Sequence, residues 1–185
     1  KSGRATELAV LAGCGRARAG LLAILTSVDP MVELIQVTEG DRLEQIRELF
    51  KEYVDWLGFD LGFQDFESEI RDLPGEYAPP EGYLLLAVSA DEPVGCGALR
   101  KFEDDVCEMK RMYVRSDSRG KGIGRRLAVA LLDRAREIGY KRMRLDTVPW
   151  MTEAIALYES LGFVEIEAYR YNPIEGAKYM ELILE

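Results

Sequence analysis

The sequence predicts an α/β domain of the α+β kind, with a mixed, mostly antiparallel central sheet flanked by helices. Three observations predict it. Short runs with strand alternation are interleaved with runs at helical spacing. Two adjacent strand-like runs, Tyr83–Val88 and Val94–Arg100, are joined by the link Ser89-Ala90-Asp91-Glu92, which reads as a hairpin. The longest alternating run, Val106–Val114, then passes through a glycine-rich loop into an amphipathic segment and a further strand. Such a crossover brings a parallel pair into an otherwise antiparallel sheet.

The elements follow in order. Val32–Val37 alternates as a strand, and Asp41 with Glu44 three positions on predicts a capping box. Leu43, Ile46, Phe50, Tyr53 and Leu57 recur at helical spacing. A shorter helix runs through Phe66, Ile70 and Leu73 until Pro74-Gly75 stops it. After the hairpin and Val106–Val114, the segment Gly124–Ile138 places Leu127, Leu131, Ala135 and Ile138 on one face, with Gly139 as its C-cap. Met143, Leu145 and Thr147 alternate in a strand, Ala154–Leu161 forms a short helix closed by Gly162, and Phe163–Ile166 and Lys178–Leu184 are strand-like. The order is β-α-α-β-β-β-α-β-α-β-β.

Residues 1–30 differ from the rest. They are rich in Ala, Gly, Leu and Arg, with Glu7 and Asp29 their only acids. Arg16 and Arg18 before Leu21–Leu25 faintly resemble a targeting segment, but the apolar stretch is short and no cleavage pattern follows. We expect 1–30 to be a leader, disordered or appended, and 31–185 to be a single domain starting near Met31.

Apolar content of 48% and charged content of 31% over 185 residues are those of a globular protein, and no apolar run is long enough to cross a bilayer. A net charge of −9 argues against general nucleic-acid binding. The charge is uneven: residues 31–106 carry 19 acidic and 6 basic side chains, whereas residues 107–145 carry 4 acidic and 12 basic. The basic middle suits a polyanionic ligand, and the acidic first half suits a cationic second one. Cys14, Cys96 and Cys107 are odd in number and irregular in spacing, which points away from disulfides and zinc and towards a reducing, cytoplasmic setting. There is no histidine, so Ser-His-Asp and Cys-His catalysis and histidine metal ligation are excluded.

The basic middle contains Arg119-Gly120-Lys121-Gly122-Ile123-Gly124 between a strand and a helix. Glycines let backbone approach a ligand, and a helix start offers unpaired N–H groups and a positive dipole end, so this loop reads as a phosphate cradle. A Walker loop needs Ser or Thr after Gly-Lys, and here Gly122 stands there. A dinucleotide fingerprint needs its third glycine one position later and a different strand order before it.

Arg119-x-x-Gly122-x-Gly124 resembles the acetyl-CoA signature of the GCN5-related N-acetyltransferases. A second signature of that family is matched by the run Ala154-Ile155-Ala156-Leu157-Tyr158-Glu159-Ser160-Leu161-Gly162-Phe163, and the strand order fits. The resemblance covers residues 31–185 and is strongest from Glu108 to Phe163. It implies acetyl-CoA as co-substrate, lying in a splay between the fourth and fifth strands, and no metal. The pantetheine arm would bond the backbone of Met112, Tyr113 and Val114, and the N–H groups of Arg119, Gly120, Lys121, Gly122, Ile123 and Gly124 would hold the pyrophosphate. Lys121, Arg125 or Arg126 would steady the ribose phosphate.

The same resemblance puts Tyr158 near the cofactor sulfur as general acid, and Glu108 on the fourth strand as general base with a raised pKa. The Met112 N–H is the oxyanion donor candidate. Where many members carry an asparagine three positions before the matching alanine, this chain has Met151, preceded by Pro149-Trp150. The activity implied is direct transfer of acetyl to a primary amine; an acyl-CoA sensor or another acyl donor is the alternative. The acidic residues Asp55, Asp60, Asp65 and Glu69 lead us to expect a cationic small-molecule or peptide amine. No nucleic-acid or membrane partner is expected, and a homodimer is left open.

Overall fold

Alternating apolar side chains turn residues 83–114 into three antiparallel strands that form the middle of a seven-stranded sheet. The computed structural model describes residues 32–59 and 61–185; the predicted leader, Cys14 and Asp60 lie outside the described residues. In chain order the elements are β1 (Glu33–Gln36), α1 (Asp41–Leu57), α2 (Phe66–Arg71), β2 (Tyr83–Ser89), β3 (Glu92–Glu103), β4 (Val106–Val114), α3 (Ile123–Ile138), β5 (Arg142–Thr147), α4 (Thr152–Ser160), β6 (Val164–Ile166) and β7 (Lys178–Ile183). The predicted order holds throughout.

The sheet order is β1-β2-β3-β4-β5-β7-β6, and every pair is antiparallel except β4 with β5. That parallel pairing covers only Val106–Glu108 against Arg142–Arg144. Beyond Glu108 the two strands are no longer paired, and the rest of β4 presents backbone to an opening. This is the predicted splay between the fourth and fifth strands.

Both sheet faces are covered. Leu127, Leu131 and Ala135 of α3 pack with Leu85, Leu99 and Met143 on one face, all fully buried or nearly so. Ile46, Leu49 and Phe50 of α1 pack with Leu84, Leu86 and Cys96 on the other. Each such side chain contributes about 1.5–3 kcal/mol by leaving water, so the two helices fix β4 from both sides.

Two local expectations are corrected. Asp41 does not cap α1: Gly40 occupies the cap at φ 78 without a side-chain cap bond, and Glu44 pairs with Arg47 instead. The β2–β3 link is tighter than the four-residue reading, because Ser89 and Glu92 pair directly. Ala90 and Asp91 make the turn alone, with φ of 50° and 65°. Two left-handed residues match the twist of the flanking strands.

Candidate active site

β4 carries a bulge where the splay opens. Cys96 faces Tyr113 and Ala98 faces Lys110, which leaves Arg111 and Met112 together opposite Gly97. Arg111 takes φ 55, a left-handed conformation costing about 1–2 kcal/mol in a residue with a side chain. Its guanidinium holds it there: Nε donates to Glu69 Oε1 at 2.7 Å and Nη1 to Gln64 Oε1 at 3.1 Å, and the plane lies 5.2 Å from the Phe66 ring centre. A Cβ on Gly97 would meet the Met112 sulfur at 2.7 Å, so the Met112 side chain packs into the space that glycine leaves opposite the bulge.

On the open side of β4 lies a groove of about 530 Å³, floored by Met112, Tyr113 and Val114 and walled by the glycine loop and the start of α4. Gly122 caps α3 at φ 76, and Gly120 has the same φ. This left-handed geometry turns the loop so that it leads into the helix start. Among the described residues, the N–H groups of Gly120 through Gly124 take no hydrogen-bond partner, whereas that of Arg119 reaches Ser116 O at 3.4 Å. The free donors sit at the positive end of a 16-residue helix. Arg119 braces the loop through Nε to Val114 O at 2.9 Å and stacks 4.5 Å above Trp56, and Arg125 donates to Ser160 Oγ at 2.8 Å. The Lys121 side chain is exposed and lies off the groove wall.

A second, narrower cavity of about 50 Å³ lies deeper. Its walls come from the end of α1 and the turn after it (Tyr53, Leu57, Leu61, Gln64), from Lys110 and Arg111 of β4, and from Asp146 and Asn172. Met112, Met151 and Tyr158 line both spaces, so the groove and the cavity meet at those three residues.

An open groove on a splayed β4, with unpaired N–H groups at a helix start, has the geometry to hold a phosphorylated carrier. The profile described as the acetyltransferase (GNAT) family matches residues 43–163. The chain belongs to the GNAT family of acetyltransferases. An uncharacterized N-acetyltransferase of Schizosaccharomyces pombe is 38% identical, with 76% of this chain and 87% of that one covered. The N-acetylaspartate synthetase of Xenopus tropicalis is 36% identical, over 59% of this chain and 41% of its own length. Among solved structures, a Klebsiella pneumoniae protein assigned as an acyl-CoA N-acyltransferase superposes with a TM-score of 0.67 at 28% identity, covering 85% of this chain and 100% of its own.

Within this GNAT domain, the structure brings Met112, Tyr113, Val114, Arg119, Gly120, Gly122, Ile123, Gly124, Arg125 and Tyr158 onto one groove. Tyr158 is 6% exposed, its ring packs edge-on against Phe163, and burial pushes its phenol well above the usual tyrosine range. It therefore keeps its proton at neutral pH. Trp150 is exposed, packs edge-on against Phe59 and lines the groove. Met151 accepts from Thr147 Oγ1 at 3.7 Å.

Glu108 is not brought to the site. It is fully buried and lines neither space. Oε1 accepts from Tyr169 Oη at 2.9 Å and from Arg170 at 2.7 Å, and Oε2 from Arg100 at 2.9 Å. The raised pKa expected of it is corrected: burial alone would raise it, but the charges of Lys110, Arg100 and Arg170 overcome burial and hold the carboxyl down at about 2. Among the described residues the expected acidic wall does not form, and Asp60 lies outside them. Asp55, Asp65 and Glu69 do not line the inner cavity, and Glu69 is occupied by Arg111 and by Tyr77 Oη at 2.7 Å.

Sequence reading missed Lys110, Asp146 and Asn172. Asp146 Oδ2 accepts from Asn172 Nδ2 at 2.9 Å, and Asp146 Oδ1 stands 4.0 Å from Arg170. Lys110 alternates as a strand residue and reads as a solvated lysine, yet it is 6% exposed. Only the bulge, which no local pattern signals, explains why adjacent charged residues both turn inward.

Among the described residues no helix is long and apolar enough to cross a membrane, and no cluster of His, Cys, Asp and Glu could hold a metal. Cys96 and Cys107 are free and buried, and burial raises the Cys107 thiol to about 12, so both are inert core residues.

Proposed function

We propose that this acetyltransferase uses acetyl-CoA to acetylate a primary amine by direct transfer in a ternary complex. The meeting of an open donor groove and a narrow inner cavity at Met112, Met151 and Tyr158 carries this reading. The pyrophosphate sits on the N–H groups from Gly120 to Gly124, with Arg119 and Arg125 at the loop's flanks, and the pantetheine runs along Met112 to Val114 towards the cavity mouth. The acyl-CoA in the name of the Klebsiella relative and the amino-acid product in the name of the Xenopus relative support the donor and the acceptor class.

In the reaction the amine nitrogen attacks the thioester carbonyl carbon, and the oxyanion forms against the Met112 N–H. The C–S bond breaks and the leaving thiolate takes the Tyr158 proton. The ammonium gives its first proton to Asp146, directly or through water, before attack, and the second, shed from the nitrogen after attack, restores the Tyr158 phenol; among the described residues Asp146 is the carboxylate that lines the cavity. Glu108 is a positioning residue that neutralises the cations around it. The test is thiol release from acetyl-CoA across an amine library. Amine-dependent release with an N-acetyl product is expected; CoA binding with no release for any amine would replace the enzyme by a sensor.

A further inference from the structure

Among the described residues, Lys110 is the charge in the inner cavity that is not fully answered. Its ammonium donates to the neutral amide of Gln64 at 2.9 Å, and its nearest carboxylate oxygen among the described residues, on Glu108, is 3.9 Å away. Its neighbours are better matched: Arg111 grips Glu69 through two nitrogens, and Arg170 donates to Glu108 Oε1 at 2.7 Å. Around the cavity Arg100, Lys110, Arg111 and Arg170 share the buried carboxylates of Glu69, Glu108 and Asp146, which leaves one positive charge in excess among the described residues. Glu76 adds a contact to Arg100, but it is 69% exposed and water screens it.

A buried ammonium with donors to spare is costly unless an anion completes it. Asp146 lines the same cavity with the opposite sign. We propose that the acceptor is an amino acid or a closely related amino-carboxylate, its carboxylate held by Lys110 and its amine turned towards Asp146 and Tyr158. This rests on the acetyl-transfer reading above and replaces the cationic acceptor expected from composition. Anion and amine are recognised by separate side chains, so a simple alkylamine fills only half of the site.

The experiment compares each of the twenty amino acids with its amino alcohol, in which a neutral hydroxymethyl group replaces the carboxylate, by thiol release from acetyl-CoA. For the preferred acceptor the acid should exceed the alcohol about 10- to 100-fold in kcat/KM, the range of a hydrogen bond to a buried charge. Lys110→Met should remove that gap while leaving the acetyl-CoA affinity within about twofold, as judged against the same bond energies. Alcohols as good as acids, or a gap that survives in Lys110→Met, would overturn the proposal. Should Lys110→Met not fold, Lys110→Gln takes its place, and the acid-to-alcohol ratio of the unaltered protein decides alone. Should no amine release thiol, the transfer reading fails first. Calorimetry of the same amino acids with CoA present then decides: binding that Lys110→Met abolishes supports the carboxylate site, and no binding overturns it.

Discussion

The donor groove and the inner cavity are neighbours built from different materials. The groove is backbone: a strand edge left open by the splay and a row of helix-start N–H groups. The cavity is side chain: Lys110, Arg111 and Asp146 pushed together by a bulge and held by ion pairs that reach across to α2 and to the segment before β7. On the function proposed above, backbone would recognise the phosphorylated donor and side chains would select the acceptor, so substitutions in the cavity should cost more than exposed ones on the groove.

The largest effect should come where the two regions meet. Tyr158→Phe is expected to lower kcat by about 10²–10⁴-fold, the range of a lost general acid, with acetyl-CoA affinity nearly unchanged. A fall in affinity with unchanged kcat would make Tyr158 a groove residue only.

Glu108 tests the cavity's dependence on its charge network. Glu108→Gln leaves Arg100, Arg170 and Lys110 short of a carboxylate, and chemical denaturation should show a loss of about 3–5 kcal/mol. The folded fraction should keep the wild-type pH–rate profile; a profile lacking its acidic limb would return Glu108 to the role of base. The same carboxylate sets an acid dependence. Its folded-state pKa of about 2 lies below the ordinary 4.5, so its stabilisation is complete above about pH 4.5 and is lost as pH falls towards 2. From that difference the loss is roughly 3 kcal/mol. Glu69 shifts in the same direction and adds to it. A flat stability curve between pH 5 and 2 would contradict the buried network.

Gly122→Val probes the groove. A left-handed φ and a branched side chain at the helix cap are incompatible, and KM for acetyl-CoA should rise about 10-fold or more while the acceptor KM holds. The smallest effect belongs to Lys121→Ala. Its side chain is exposed and off the groove wall, so the change should stay within about threefold, as for other surface charges.

The same contrast explains what could be read beforehand. The glycine run announces the groove because Gly120 and Gly122 take left-handed φ just before a helix, and Tyr158 follows from its own contiguous motif. The order of elements was legible because each strand is a short apolar or alternating run bounded by turn residues. The inner cavity was not, since its residues come from positions 53 to 172 and meet only through the fold. Glu108 was misread because a strand glutamate's pKa depends on Arg100 and Arg170, the latter 62 positions away. Regional charge does not map simply onto the cavity: the acidic first half supplies Glu69 to a guanidinium, and among the described residues the wall carries Lys110 and Arg111 against Asp146.

The measurement closest to the central claim is a two-substrate initial-rate study, varying acetyl-CoA at several fixed concentrations of the best amine. Direct transfer where groove and cavity meet predicts intersecting double-reciprocal lines, because both substrates must be bound at once. Parallel lines, with acetyl retained on the protein after CoA leaves, would contradict it.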